Sequence, residues 1–305
     1  MKVLIIGLGS IGKKHVLAIK TVRPDVDIIA LRSHQDAENF MDVKNIYALD
    51  EIEKPVPDFV IISNPTSEHK KTVSELIKFN IPLFIEKPIF SSLNIQKLID
   101  NLNSTDIFTY VACNLRFLDC IRFIKEQKQN FNQKRLNEVN VYCGSYLPDW
   151  RLNIDFRKTY SAIPELGGGV HIDLIHELDY IYWLFGSPIE VKRTYRNQSS
   201  LDISAYDYAN YLLDYEGFCV NIVLNYYRRE PKRNLELVFE DETWNVDLLK
   251  NQVVCKNQIL FSSEQRISNT YLDQMKYFIG CIQNKNKSIN TVNDAYNVLK
   301  ICLDK

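Results

Sequence analysis

No excess of either charge sign marks this chain: 37 Lys and Arg stand against 38 Asp and Glu in 305 residues, a formal net charge of −1. Without a global positive field, long-range capture of nucleic acid or of an anionic membrane is not expected. One local basic cluster, Arg228, Arg229, Lys232 and Arg233, can meet a phosphate or form a solvated turn between strands. Cysteines with metal-ligand spacing are missing too. The seven, at 113, 120, 143, 219, 255, 281 and 302, include no Cys-x-x-Cys and sit mostly inside apolar patterns. That argues against zinc, or any other metal, and against a disulfide framework; buried, reduced thiols in a cytoplasmic protein are expected instead. No apolar run approaches the ~20 residues of a membrane-spanning helix. The first short run, 3–6, passes straight into a glycine-rich turn, as a buried strand does and a signal peptide does not. Internal repeats, low-complexity tracts and long linkers are absent as well.

What is present is ordinary in amount and informative in order. A chain of 305 residues, 46% hydrophobic and 25% charged, is long enough for two domains with cores of their own. Strand-like runs at 3–6, 28–31, 59–62, 83–85 and 107–112 alternate with helix-like stretches at about 10–22, 66–79 and 91–102. Such alternation predicts βαβ units and a parallel sheet covered on both faces. From about residue 139 the texture changes to long Tyr-, Val-, Ile- and Leu-rich runs at 138–146, 206–227 and 235–249, with turns at Tyr215-Glu216-Gly217 and Glu240-Asp241. These predict an antiparallel, meander-like sheet. One helix is expected within it, over about 170–184, after Gly167-Gly168-Gly169 and before Gly186, and the last stretch, 269–304, reads as helical. The fold class expected is α/β: a Rossmann-type doubly wound parallel sheet over 1–115, then an α+β domain over 116–305 with an open, mostly antiparallel sheet.

The first strand runs into Gly7-Leu8-Gly9-Ser10-Ile11-Gly12 and then a helix. In that context the first glycine permits a tight turn and the second lets backbone N–H groups approach a pyrophosphate. The third allows the helix to pack on the strand, and the helix start supplies positive potential. A dinucleotide site is therefore expected here, with Ser10 and Ile11 part of the cradle, although a purely structural turn would use the same glycines. At the end of the second strand the chain reads Ala30-Leu31-Arg32-Ser33-His34, without the carboxylate that binds the NAD ribose diol. Arg32 and Ser33 suit the 2′-phosphate of NADP, so NADP is the preferred cofactor and NAD the alternative. Arg32 can equally stack on the adenine or lie in solvent.

Four further segments, in order, resemble the glucose–fructose oxidoreductase / inositol dehydrogenase (Gfo/Idh/MocA) family. They are Ser63-Asn64-Pro65-Thr66-Ser67-Glu68-His69, Phe84-Ile85-Glu86-Lys87-Pro88, Asn114-Leu115-Arg116-Phe117, and Gly167-Gly168-Gly169 continuing through His171, Asp173, His176 and Asp179. The resemblance implies an NAD(P)-dependent dehydrogenase or reductase acting on a CH–OH group of a sugar, cyclitol or nucleotide sugar. It also implies cofactor contacts from Ser63, Asn64, Pro65, Thr66, His69, Glu86, Lys87, Asn114 and Arg116, and a homodimer or homotetramer formed through the C-terminal sheet.

Each segment also has a reading of its own. Lys87 follows a buried apolar strand and precedes a proline, so its ammonium should emerge at the carboxyl edge of the parallel sheet, where open α/β folds place ligands. A cation there can polarise a carbonyl or relay the carbinol proton as hydride leaves, whereas a surface lysine with a snorkelling stem would do neither. On a continuous helix Asp173 and His176 share a face, as do His176 and Asp179. His176 can then handle a proton while Asp173 orients the sugar, or the histidine can simply bond within the interface. The spacing departs from the usual Asp-x-x-x-His of the family by one residue, which puts Asp173 in more doubt than His176.

The stretch with Trp150, Arg151, Arg157 and Tyr160 looks similar to a subgroup from bacterial surface-polysaccharide pathways. Its aromatic and Arg side chains suit a sugar face and an anionic group, or merely cover the sheet. Two other functions stay open. A cofactor-recycling epimerase or glycosidase uses the same residues. A non-catalytic NAD(P)-binding sensor is the other, although the resemblance implies that sensors tend to lose the lysine or the helix histidine that this chain keeps as Lys87 and His176.

Overall fold

The computed structural model describes residues 1–131, 134–151 and 153–304. The chain forms two compact units, one of Met1–Cys113 with Tyr271–Lys305, the other of Asn114–Thr270.

In the first unit β1 (Lys2–Ile6), β2 (Asp27–Leu31), β3 (Lys44–Ile46), β4 (Phe59–Ile62), β5 (Leu83–Glu86) and β6 (Thr109–Ala112) make one sheet, ordered β3-β2-β1-β4-β5-β6. Every pairing is parallel. The crossovers carry α1 (Ser10–Val22), α2 (Thr66–Leu76) and α3 (Gln96–Asn103). All four residues of β4 and of β5 are buried, as strands covered on both faces require. Helix α1 buries Gly12, His15, Val16 and Ile19, the i, i+3, i+4, i+7 stripe that turns one face to the sheet.

The second unit opens with α4 (Asp119–Phe131) and then builds an eight-stranded sheet. Its strands are β7 (Leu136–Tyr146), β8 (Glu190–Arg196), β9 (Tyr208–Tyr215), β10 (Phe218–Asn225), β11 (Tyr227–Phe239), β12 (Thr243–Asp247), β13 (Gln252–Cys255) and β14 (Gln258–Ser262). The order is β14-β13-β12-β11-β7-β10-β9-β8, antiparallel except for the β7–β10 pair. One face is apolar and packed, with Val139, Val220, Ile222, Leu235 and Leu237 fully buried. The opposite face is lined by Asn140, Asn221 and Glu236, which lie side by side in register.

The helix expected over 170–184 is two helices, α5 (Val170–Asp173) and α6 (His176–Phe185), interrupted at Leu174 and Ile175. Leu174 has left the helical region, at φ −99° and ψ 29°. The interruption falls where the Asp-to-His spacing is one residue shorter than the usual family pattern. Gly186 ends α6 at φ 85°, as anticipated from the sequence.

The closing helices, α7 (Thr270–Asn284) and α8 (Val292–Leu303), return to the first unit, so the expected domain of 116–305 differs from the compact unit found. Phe278 of α7 sets its ring edge-on to Phe59 and Phe84 of the parallel sheet, each 5.1 Å away. Asn290, between the two helices, bonds Val111 of the edge strand β6 with both its main-chain carbonyl and its side-chain amide. Apolar periodicity locates such helices but does not say which sheet they will cover.

Candidate functional site

The carboxyl ends of β1, β4 and β5 hold most of the expected cofactor residues. Gly7 sits at φ +86°, and a Cβ on it would lie 2.6 Å from the Asn64 backbone, so only glycine fits the turn. A Cβ on Gly12 would lie 2.4 Å from the Gly7 carbonyl. Gly9 is different: a Cβ there would meet nothing within 4 Å. Gly9 is the N-cap of α1, without a side-chain cap on the first-turn N–H groups, and Gly9 and Ser10 are exposed while Ile11 is half-buried. An open approach to uncapped donors at the start of a 13-residue helix fits a dinucleotide pyrophosphate. Asn64 also presents a buried Oδ1 that has no partner, while its Nδ2 donates to Thr72.

Several polar residues expected to touch cofactor bond within this edge. The Ser63 hydroxyl donates to the Gly7 carbonyl at 2.7 Å. His69, 1% exposed, sets its two ring nitrogens against the carbonyls of Asn64 and Ile89, at 3.0 and 3.1 Å. Burial holds His69 below the ordinary histidine range, so the neutral ring donates to one carbonyl and only touches the other. Glu86 is buried: one carboxylate oxygen takes a hydrogen bond from His15 Nε2 at 2.6 Å, the other from the Lys87 amide at 3.1 Å. Lys87 itself is half-buried at the end of β5, and its peptide bond to Pro88 is cis. Pro65 is exposed and Thr66, which opens α2, half-buried.

At the end of β2, Arg32 is half-buried and donates from one guanidinium nitrogen to the Glu38 carbonyl and the Asn45 side chain, at 3.2 and 3.1 Å. Ser33 is exposed beside it.

In the second unit the expected residues separate into two groups. Arg116, 2% exposed, donates twice to Asp179, Nε to Oδ2 at 2.8 Å and a terminal nitrogen to Oδ1 at 2.7 Å. Asn114 donates to Thr270 at 2.8 Å. Both make ties within the second unit. Asp173, 7% exposed, closes α5 and accepts the Tyr226 hydroxyl at 2.5 Å. Burial of the Tyr160 hydroxyl, with the Asp173 charge, pushes Tyr160 up to about 12. The Tyr160 ring remains outward, 42% exposed, with the Arg151 guanidinium 5.0 Å above it. Trp150 packs edge-on to Tyr226 and donates its indole N–H to Ser145. Arg157 is exposed over Phe156 and joins none of these.

The triple glycine seats this cluster. A Cβ on Gly168 would lie 2.0 Å from the Tyr160 carbonyl, and Gly169, at φ +129°, begins α5. His171 packs against both Tyr195 and Tyr206, and burial holds it down to about 4. His176, half-buried, opens α6. The interruption before it breaks the continuous helix on which a shared face for Asp173 and His176 was expected.

The basic cluster is strand rather than turn. Arg228 and Lys232 lie over Tyr142 and Arg229 over Tyr146, while Arg233 bonds the buried Glu177 through two nitrogens. In each unit one residue bonded to an expected site residue went without a sequence signal of function. His15 was visible only as one member of the buried stripe of α1, and Tyr226 is tied to Asp173 across 53 residues.

Residues 1–111 match the family model described as an oxidoreductase family with an NAD-binding Rossmann fold, and 125–244 match the Gfo/Idh/MocA C-terminal domain. The uncharacterised oxidoreductase YrbE of Bacillus subtilis strain 168 is 25% identical over 237 residues, 72% of this chain and 65% of that protein. The chain spans 65% or less of the length of each curated relative it matches. Among solved structures, a UDP-N-acetylglucosamine 3-dehydrogenase from Acidithiobacillus ferrooxidans superposes with a TM-score of 0.80 at 18% identity, covering 99% of this chain and 95% of that one. A myo-inositol 2-dehydrogenase from Lactobacillus plantarum gives 0.81 at 19%, over the same shares. At such identities the likeness concerns the fold. No helix among the described residues is long and apolar enough to cross a membrane.

Proposed function

The chain belongs to the Gfo/Idh/MocA family of NAD-binding oxidoreductases, and from that premise we propose that it moves a hydride between NAD(P) and a secondary alcohol or ketone of a sugar, cyclitol or nucleotide sugar. The observation that carries this reading is Lys87 at the carboxyl end of β5, in the same sheet edge as the Gly7–Gly12 turn at the end of β1. The bound dinucleotide supplies the hydride acceptor or donor. Gly9 and the first turn of α1 bind its pyrophosphate, and Arg32 with Ser33 favours a 2′-phosphate. The Lys87 side chain stabilises charge on the reacting oxygen and carries its proton. In the second unit, Asp173 and His176 orient the substrate hydroxyls, and the exposed Tyr160 ring with Arg151 and Trp150 meets the sugar face.

The half-exposed polar face of the eight-stranded sheet supports self-association as a homodimer or homotetramer. Carboxylates of Glu190, Asp214 and Glu138 lie toward one end of its strands and Arg196 and Lys232 toward the other, so two copies laid antiparallel would match opposite charges. The decisive experiment is mass spectrometry of ligand co-purified with fresh protein, followed by hydride transfer with NADP and NAD on the sugar class found. Failure of every secondary alcohol of that class to reduce either cofactor would remove the reading.

A further inference from the structure

A buried carboxylate and a buried imidazole face each other behind Lys87. His15 is fully buried on α1, and its Nε2 lies 2.6 Å from Oε1 of Glu86, itself 8% exposed. An ionised carboxylate only accepts, so Nε2 carries the proton, and Nδ1 is buried without a partner. The second Glu86 oxygen takes the Lys87 amide at 3.1 Å. Packing alone does not call for such a pair, because an apolar side chain would fill the same space without desolvating a carboxylate. What the pair adds is a connection. Helix α1 opens on the glycine turn; His15, one turn and a half along it, grips Glu86, and Glu86 grips the main chain of Lys87. Two residues beyond Lys87, His69 meets the Ile89 carbonyl at 3.1 Å and closes the segment from the other side.

We propose that His15 is a positioning residue, which through Glu86 fixes the main chain of Lys87 to the helix that receives the dinucleotide. It touches neither cofactor nor substrate. It acts by making the place of Lys87 depend on the place of α1, so that a dinucleotide seated on the glycine turn and Lys87 at the reacting carbon keep a set relation. Preorganisation of this kind matters because a displacement of about 1 Å at a reacting group can cost about a hundredfold in rate. The inference rests on the reading of Lys87 as the group beside the bound cofactor.

The test is competitive acylation of the full chain with a soluble activated ester. Modification at Lys87 is quantified by peptide mass spectrometry, with and without saturating NADPH. In the unmodified protein NADPH should slow Lys87 acylation by about fivefold or more. His15→Phe keeps the edge-on ring contact with Phe84, 4.9 Å between centroids, but loses the donor to Glu86. Its NADPH affinity, read by fluorescence titration, should stay within about threefold, while the protection of Lys87 falls below about twofold. His15→Gln, whose amide N–H can reach Glu86, should restore protection. Full protection in His15→Phe overturns the inference, and so does failure of His15→Gln to recover it in a folded protein. Should His15→Phe not fold, Glu86→Met removes both acceptor oxygens at nearly unchanged size and is read the same way. NADPH binding without protection in the unmodified protein would instead overturn the reading of Lys87 itself, and this inference with it.

Discussion

Arg116 and Asp179 meet through two hydrogen bonds with 1% and 2% of their side chains exposed, a bidentate pair held out of water. Breaking one member of such a pair leaves an uncompensated buried charge, at a cost of about 3–5 kcal/mol. Asp179→Ala should therefore lower the stability of the second unit by that order in urea unfolding. Arg116→Met with Asp179→Leu should lose much less, because no charge is stranded. If Arg116 were a cofactor ligand instead, NADPH affinity would fall with Arg116→Lys; a structural tie predicts that affinity stays and stability falls.

The glycine turn separates stability from binding. Gly7→Ala has to place a Cβ 2.6 Å from the Asn64 backbone at a positive φ, and should unfold or severely destabilise the first unit. Gly9→Ala meets open space at an extended φ of −78°, so its stability should change by less than about 1 kcal/mol. The same methyl stands where the pyrophosphate would approach, and NADPH affinity should fall by about tenfold or more, about 1.4 kcal/mol. Thermal melting and fluorescence titration of both variants check the contrast. Equal affinity in Gly9→Ala would remove the phosphate from that position.

How much of this was legible beforehand divides along physical lines. The range 10–22 of α1 could be read from its one-sided apolar stripe, and the runs at 59–62 and 83–85 because burial on both faces writes short, nearly pure apolar segments into the sequence. The break at Leu174 and Ile175 could not: apolar residues continue through it, and the helix parts only where the folded chain turns. Helix α4 was not anticipated, although Cys120, Ile121 and Ile124 write a buried face into it at helical spacing. Ser63, His69, Glu86 and Arg116 show the commonest gap between sequence and site. A polar residue at the right edge marks the site, but which neighbour its atoms bond is decided by groups far away in the chain.

Acid should weaken the fold through its buried histidines. His171 is held down to about 4 by burial, against an ordinary value near 6.5. Between those two pH values the unfolded chain binds a proton that the folded chain refuses, so stability is present above about 6.5 and is lost as pH falls toward 4. The full effect of one such group is about 3 kcal/mol. His69, also depressed by burial, acts with the same sign. Denaturant unfolding at pH 7 and pH 5 should show the loss, and His171→Phe should flatten it. A pH-independent midpoint in the unmodified protein would contradict the neutral, buried state of His171.

We predict that cofactor choice turns on Arg32. Its contacts to Glu38 and Asn45 hold the guanidinium half-buried at the end of β2, with no carboxylate in the strand-end segment to bind a ribose diol. NADPH should bind several-fold more tightly than NADH, and Arg32→Asp should flatten or reverse the ratio, since a carboxylate repels the 2′-phosphate. Tighter binding of NADH by the unmodified protein would sink this prediction.

Lys87 carries the strongest expectation. If its side chain stabilises the reacting oxygen and carries the proton, Lys87→Ala should lower turnover by about 10²–10⁴-fold, the usual contribution of general acid–base catalysis. NADPH affinity should hardly change, because Gly9 and the first turn of α1 do not depend on that side chain. Lys87→Arg should rescue poorly: a guanidinium retains the charge but does not release a proton. His176→Ala should be milder, and the double variant should lose less than the product of the two if both residues serve one proton path. Single-turnover hydride transfer is the measurement that isolates the step, since it removes product release from the observed rate. A Lys87→Ala protein that keeps more than about a tenth of the single-turnover rate would take Lys87 out of the chemistry, because loss of a proton-transfer group costs at least about ten times more than that.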